Sequence, residues 1–323
     1  MNGDILVNRA FTDVEVPCRA SYGCLVLNEI FRKDLTTLSL SLVQPALPPY
    51  KDKFTTSYER ILAFMKKEAE RIHNGAFFEG MTSIRAILAA KAEENPHNDR
   101  KILRIYFARE SEKRLARELS WLIHRAEDFS FPLVPVSTEE ILEMTTGSTH
   151  GGIVAECGER TIPVLDENTP IRPNGFYVMI EGIEDPYNFG YAIRSLYAAG
   201  VDGIILPERN WMSASGVVAR ASAGASELIP LYTAAAVDAA VLFKKNGYRV
   251  VSADVRTDIL LPDADLKKPI FLIVGGEKRG ISRALLDRCD FAVKIPYGRD
   301  FNAALSAASA ATILGYEVLR QNQ

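Results

Sequence analysis

The 323-residue chain is 47% hydrophobic and 24% charged, with a net charge of −3, the composition of an ordinary soluble protein with no global signature of nucleic-acid binding. No apolar run approaches the roughly 20 residues that span a bilayer, the first residues lack the basic-then-apolar layout of a secretory signal, and Cys18, Cys24, Cys157 and Cys289 show no CxxC spacing and stand apart from the histidines. Membrane insertion, export, a disulfide framework and a metal site are therefore disfavoured, and the expectation is a cytoplasmic protein of two globular units.

Residues 1–54 hold strand-like pieces such as CLVLNEIF and end in QPALPPY, whose prolines deny a helix its donors. They form an extension to which no role is assigned. From Thr55 to about His73 the apolar residues Tyr58, Ile61, Leu62, Met65 and Ala69 recur at helical spacing. Helix and strand patterns then alternate up to Cys157: MTSIRAILAAKAE as helix, ILRIYFA as strand, SEKRLARELSWLIHRAE as helix, PLVPV as strand, and GGIVAEC as a closing strand. The helix before that last strand opens on Ser137 with Glu140 three residues on, a capping box. Residues 55–157 read as a small α/β domain, and the proline-, glycine- and charge-rich stretch 158–175 as a linker.

From 176 to 323 the alternation resumes, with strands at FYVMIE, GIILP, ELIPL, YRVVSAD, PIFLIVG and FAVKIP separated by helices, and a final helix from about Asn302 to Arg320. Strands that are apolar throughout imply a parallel sheet covered by helices on both faces. Ligands of such sheets sit at the carboxyl ends of the strands. Several chemistries fail there. No GxGxxG is present, Ile281 occupies the lysine position of a P-loop in GGEKRGIS, and the last histidine is His150, so no Ser-His pair can form in this half. RASAG has Arg220 where a nucleophile elbow needs glycine.

Three strand ends share another pattern. Asp185, Pro186, Asn188, Gly190 and Arg194 form the first, where a plain helix cap is an equal reading. Gly275, Gly276, Glu277 and Gly280 form the second, with glycines that let backbone approach a ligand. Ile295, Pro296 and Asn302, before an Ala-rich helix, form the third. Basic runs lie between Arg100 and Arg117, including Arg104 and Arg114, and between Lys278 and Arg299, including Arg279. Such runs suit RNA phosphates, and solvated helix faces equally.

Taken together, DPYNFG with Arg194, VGGEKRG with Glu277, and IPYGRDFNAALSAA resemble, in order, the three motifs of the SpoU (TrmH-like) family of the SPOUT superfamily, whose members are AdoMet-dependent RNA 2'-O-ribose methyltransferases. ARASAGASELIP is similar to the run between the first two. The resemblance covers about Phe176 to Arg320; FFEGMTSIRAILAA and THGGIVAE extend it, more weakly, to the family's appended RNA-binding domain. It implies a C-terminal trefoil knot, a homodimer, and catalytic roles for Asn188, Arg194, Glu277 and Asn302. It further implies S-adenosyl-L-methionine held by Val274, Gly275, Gly276, Gly280, Ile295, Pro296 and Ala304, and RNA, ribosomal ahead of transfer RNA, bound by Arg104, Arg114, Lys278 and Arg279. The chain departs from the family in the third motif. Where members show Ser-Leu-Asn-Val-Ser, it has Asp300-Phe301-Asn302-Ala303-Ala304. A catalytically inactive RNA-binding protein of the same fold is therefore the alternative expectation.

Overall fold

The structure, a computed structural model, describes residues 76–323 apart from 93–96, 148, 184, 208–210, 277–279 and 302. The strand pieces of residues 1–54 and the helix expected from Thr55 to His73 lie outside the described residues.

Ala76–Glu79 (β1), Ile102–Ala108 (β2), Leu133–Val136 (β3) and Ile153–Cys157 (β4) form a four-stranded sheet in the order β1-β4-β2-β3. β4 is antiparallel to both neighbours, while β2 and β3 run parallel. Successive strand residues face opposite sides, and the sheet is covered on both. Ile105 and Ala155 share a core with helices Gly80–Ala92 (α1) and Ala116–Phe129 (α2), while Ala108 and Val154 pack with Ile141 of helix Thr138–Met144 (α3). α3 opens on the expected capping box: Ser137 Oγ accepts from the Glu140 amide at 3.2 Å, and the Glu140 carboxylate accepts from the Ser137 amide at 2.8 Å. Two boundaries differ from expectation. β1 is a strand that no alternation in AFFE announces, and α2 starts at Ala116 rather than Ser111, because residues 109–111 close a tighter 3-10 turn.

Phe176–Ile180 (β5), Gly203–Leu206 (β6), Leu231–Thr233 (β7), Arg249–Ala253 (β8), Ile270–Val274 (β9) and Phe291–Val293 (β10) form a six-stranded sheet in the order β10-β8-β9-β5-β6-β7. Every pairing in it is parallel. The expected parallel α/β architecture is thus present. The central strands β5 and β9 are buried at all positions, as their unbroken apolar sequences require. Helices Pro186–Ala198 (α4), Ser215–Ala221 (α5) and Ala307–Gln321 (α9) share one core with Val178, Ile180, Leu272 and Val274. Ala225–Leu228 (α6) follows α5 directly. On the other face Ala236–Lys245 (α7) and Arg283–Leu286 (α8) pack with Tyr177, Met179, Phe271 and Ile273, and Phe243 stacks on Phe271 with ring centroids 4.1 Å apart.

α9 begins at Ala307, not near Asn302. Ser306 is its cap, accepting from the Ser309 amide at 3.1 Å, while the Leu305 amide is taken by the Tyr297 hydroxyl at 3.2 Å. The other end of α9 is stitched to the approach to β9: Gln321 accepts from the Leu266 amide and donates to the Ala264 carbonyl, and Asn322 accepts from the Lys268 amide. Residues 158–175, expected as a linker, are mostly exposed but anchored at several points. Arg160 is buried and donates to the carbonyls of Ser226 and Ile229, Leu165 is buried, and Val164 bridges to Thr233. Both sheets belong to one unit, Lys66–Gln323. Among the described residues no helix is long and apolar enough to cross a membrane.

Candidate active site at the strand-order reversal

β5 has β6 and β7 on one side, and β9, β8 and β10 on the other. The connection leaving β5 leads to α4 on one face of the sheet and the one leaving β9 leads to α8 on the opposite face. Connections that part in this way open a crevice at the carboxyl ends of the two strands, the place where open α/β sheets bind ligands.

The floor of the crevice is bare backbone. Gly182, just past β5, has φ +73°, a conformation that side chains resist, and a Cβ on Gly276, just past β9, would fall 2.0 Å from the Gly182 carbonyl oxygen. The two loops touch because Gly276 has no Cβ, whereas a Cβ on Gly182 would meet Gly276 only at 3.4 Å, an ordinary contact. Beyond Gly276 the chain turns tightly, the Gly280 amide donating to the Gly276 carbonyl at 3.0 Å. Of the expected cofactor residues here, Val274 and Gly276 are buried, Gly275 is half-buried, and Gly280 is exposed with nothing in front of its missing Cβ. Glu277, Lys278 and Arg279 lie outside the described residues.

α4 forms the wall. Asp185 is its N-cap, its carboxylate accepting from the Asn188 amide at 2.8 Å, and Pro186 fills the first helical position, where no amide is needed. Asn188 is half-buried and Arg194 exposed. They stand about 9 Å apart along the axis and roughly 120° around it. Arg194 shares its face with Tyr187 and Tyr191, both exposed, and has no hydrogen-bond or ion-pair partner among the described residues. A long cation without a partner among the described residues is available to an anionic substrate.

The third loop follows β10, which pairs with β8 and not with β9. At about 4.8 Å per strand, the second and third loops therefore open some 10 Å apart, with the end of β8 between them. Ile295 is half-buried, Pro296 and Ala304 are exposed, and Asn302 lies outside the described residues. The stretch after β8 was not expected to take part. Asp254 donates its amide to the Val293 carbonyl at 3.0 Å and pairs with Arg256 at 2.7 Å, so it is fastened to the base of the third loop. No motif marks it; only the strand order brings it to the site.

Glu181, the last residue before Gly182, gives the site its charge. Its amide donates to the Val274 carbonyl at 3.0 Å, and its buried Oε2 has no hydrogen-bond partner among the described residues. Desolvation by burial raises its pKa above the ordinary 4.5. An unsatisfied carboxylate oxygen in a glycine-floored crevice fits a ligand that brings its own donors. S-adenosyl-L-methionine, with an ammonium, ribose hydroxyls and an adenine amine, is such a ligand.

The expected RNA contacts fare unequally. Arg104 is paired with Glu156 at 3.0 Å, and the Tyr106 hydroxyl donates to the same carboxylate oxygen at 2.8 Å. Its charge is already engaged, which argues against it as a phosphate ligand. Arg114 is exposed and donates to the Gly151 carbonyl at 3.1 Å, beside the exposed Arg109, Lys113 and Arg117.

Residues 175–316 match the sequence model of the SpoU rRNA Methylase family. An uncharacterised tRNA/rRNA methyltransferase of Mycobacterium ulcerans is 30% identical over 218 residues, covering 66% of this chain and 69% of the relative. The chain belongs to the SpoU family. That family is one of rRNA methylases. The 23S rRNA (guanosine-2'-O-)-methyltransferase RlmB of Shewanella oneidensis is 29% identical over 233 residues, 70% of this chain and 92% of that protein. A Staphylococcus haemolyticus protein named for the TrmH family is 35% identical over 145 residues, but the match spans only 58% of its length. In fold, the chain is similar to the SpoU methyltransferase AviRb of Streptomyces viridochromogenes in complex with AdoMet, with a TM-score of 0.62 at 22% identity, over 77% of this chain and 91% of that one.

Proposed function

We propose that the protein transfers a methyl group from S-adenosyl-L-methionine to a ribose 2'-hydroxyl of a structured RNA, ribosomal RNA ahead of transfer RNA. The observation that carries this reading is a glycine-floored crevice in which Arg194 and a Glu181 carboxylate oxygen both lack a partner among the described residues. A relative named for 23S rRNA that aligns over 92% of its length supports the ranking of targets.

When bound, the cofactor supplies an electrophilic methyl group on a sulfonium. The protein then has to align the 2'-hydroxyl with it and manage one proton. Val274, Gly275, Gly276, Gly280, Ile295, Pro296 and Ala304 would hold the cofactor, largely through backbone, and Glu181 would accept from one of its donors. Arg194 polarises the hydroxyl and holds the adjoining phosphate; a guanidinium has donors and no acceptor, so it does not take up the proton itself, which passes to water. Asn188 and Asn302 position the ribose, and Glu277 orients Arg194 or Asn188. The exposed Arg109, Lys113, Arg114 and Arg117 of the small sheet contact RNA phosphates more distant from the ribose.

The reading includes a C-terminal trefoil knot, supported by the return of α9 onto α4 after β10, and a homodimer. Tyr187 and Tyr191 of α4 and Ile313 and Tyr316 of α9, all exposed, offer an apolar face for the dimer. The test is methyl transfer from labelled S-adenosyl-L-methionine to ribosomal RNA from a strain lacking the protein, with nuclease digestion of the product. A 2'-O-methylated nucleotide at one position is expected. Absence of both transfer and cofactor binding would instead favour an RNA-binding protein without catalysis, which the serine-free Asp300-Phe301-Asn302-Ala303-Ala304 motivates.

A further inference from the structure

α5 is two turns long and is wedged between the two sheets. On one side a Cβ at Gly216 would fall 2.0 Å from the Phe77 carbonyl oxygen in β1. On the other, a Cβ at Gly190 of α4 would fall 2.5 Å from Ala221 Cβ and 2.9 Å from the Val218 carbonyl. Glycine on both contacts brings backbone against backbone from the small sheet through α5 to α4, and Arg194 lies one helical turn beyond Gly190. Nothing compressible separates β1 from the helix that carries the candidate catalytic arginine.

Two charged locks fasten this stack. Arg220, at the end of α5, pairs with Glu79 of β1 at 2.9 Å and donates to Thr149 Oγ1 at 3.0 Å, while the other Glu79 oxygen accepts from the Thr146 amide at 2.7 Å. Arg100 and Glu227 form the second lock at 2.8 Å, their side chains 3% and 0% exposed. Asn98 donates to the same Glu227 oxygen at 3.0 Å. Apolar packing would hold two surfaces together at least as firmly as a buried ion pair. What the directional pairs add is a single angle and register between the sheets.

We infer that α5 and its two locks are a positioning device, which holds RNA gripped by the small sheet at one fixed distance and angle from Arg194. Arg220 and Glu79 are positioning residues: they touch neither cofactor nor ribose, and they select which nucleotide along the RNA meets the methyl group. This inference rests on the proposed methyl transfer.

The experiment uses the full chain with Arg220→Met, Glu79→Gln and Arg220→Lys. The first two are expected to melt as cooperatively as the wild type and to keep cofactor and RNA affinity within about twofold, while kcat falls at least tenfold and methylation spreads to neighbouring nucleotides. Arg220→Lys, which keeps the pair with Glu79, should restore the single target. In parallel, spin labels at Arg125→Cys and Asp238→Cys, with Cys18, Cys24 and Cys289 changed to Ser, report the spacing of the sheets without any need for activity. One narrow distance is expected, and a broad one in Arg220→Met. Folded Arg220→Met and Glu79→Gln proteins with unchanged kcat on the original nucleotide would overturn the inference, as would a broad distance distribution in the unsubstituted background. A wild type that keeps the narrow distance yet transfers no methyl group would remove the methyl-transfer reading on which the positioning role depends, and the positioning role with it, leaving only the rigid joint.

Discussion

Arg194 has no partner to lose among the described residues, so truncating it removes a charge without orphaning another group. Arg194→Ala is expected to lower kcat by about 10²–10³-fold, the range for a lost transition-state donor, with cofactor affinity by calorimetry and the melting temperature unchanged; undiminished turnover would take Arg194 out of the mechanism. Glu181 makes a different prediction. Burial raises its pKa in the folded protein above 4.5, so the native state favours the protonated carboxyl. The stability this contributes is full below about pH 4.5 and is lost as pH rises through the raised native value. Glu181→Gln should therefore melt higher than the wild type at pH 8, the gap should close at pH 4, and cofactor binding should weaken. A gap that is equal at both pH values would show that the carboxyl is not desolvated.

The second loop shows how one element depends on one missing atom. Gly276→Ala is expected to keep the sheet folded but to push the loop off Gly182, and cofactor affinity at least tenfold lower by calorimetry is the result that checks it. The strands read from the sequence as FYVMIE and PIFLIVG were legible to within one residue at their ends, because a strand covered on both faces has to be apolar at every position. The cap at Asp185-Pro186 was legible for a local reason as well, since its hydrogen bond spans three residues. The start of α9 was not. Ala-rich sequence permits a helix from Asn302 onward, and what delays it is a hydroxyl eight residues away, on Tyr297. Nor could the end of β8 be seen as part of the site, since its place follows from strand order and from no pattern of its own. The locks at Arg100–Glu227 and Arg220–Glu79 join residues 127 and 141 positions apart, beyond the reach of any periodicity.

The molecule as a whole is held by those long-range pairs, and its stability should reveal them. Arg100→Met leaves Glu227 charged and buried, with a hydrogen bond from Asn98 and the more distant charge of Arg160 but without its direct ion pair, a loss of about 3–5 kcal/mol. Arg100→Met with Glu227→Leu should recover most of it. Denaturant unfolding of the two variants makes the comparison, and equal losses would mean that the pair contributes packing alone. The stitching of α9 to the approach of β9 has a consequence of another kind, one that concerns synthesis. β5, β6 and β7 leave the ribosome first, yet the central strand β9 gains the partners that fix its approach only after Asn322 has been added. At about 5–20 residues per second, the growing chain carries an open edge on β5 for several seconds, and a pause among the codons between β9 and Asn322 would prolong that exposure. The protein's demand for chaperones is therefore set by how soon the stretch that follows β9 is made.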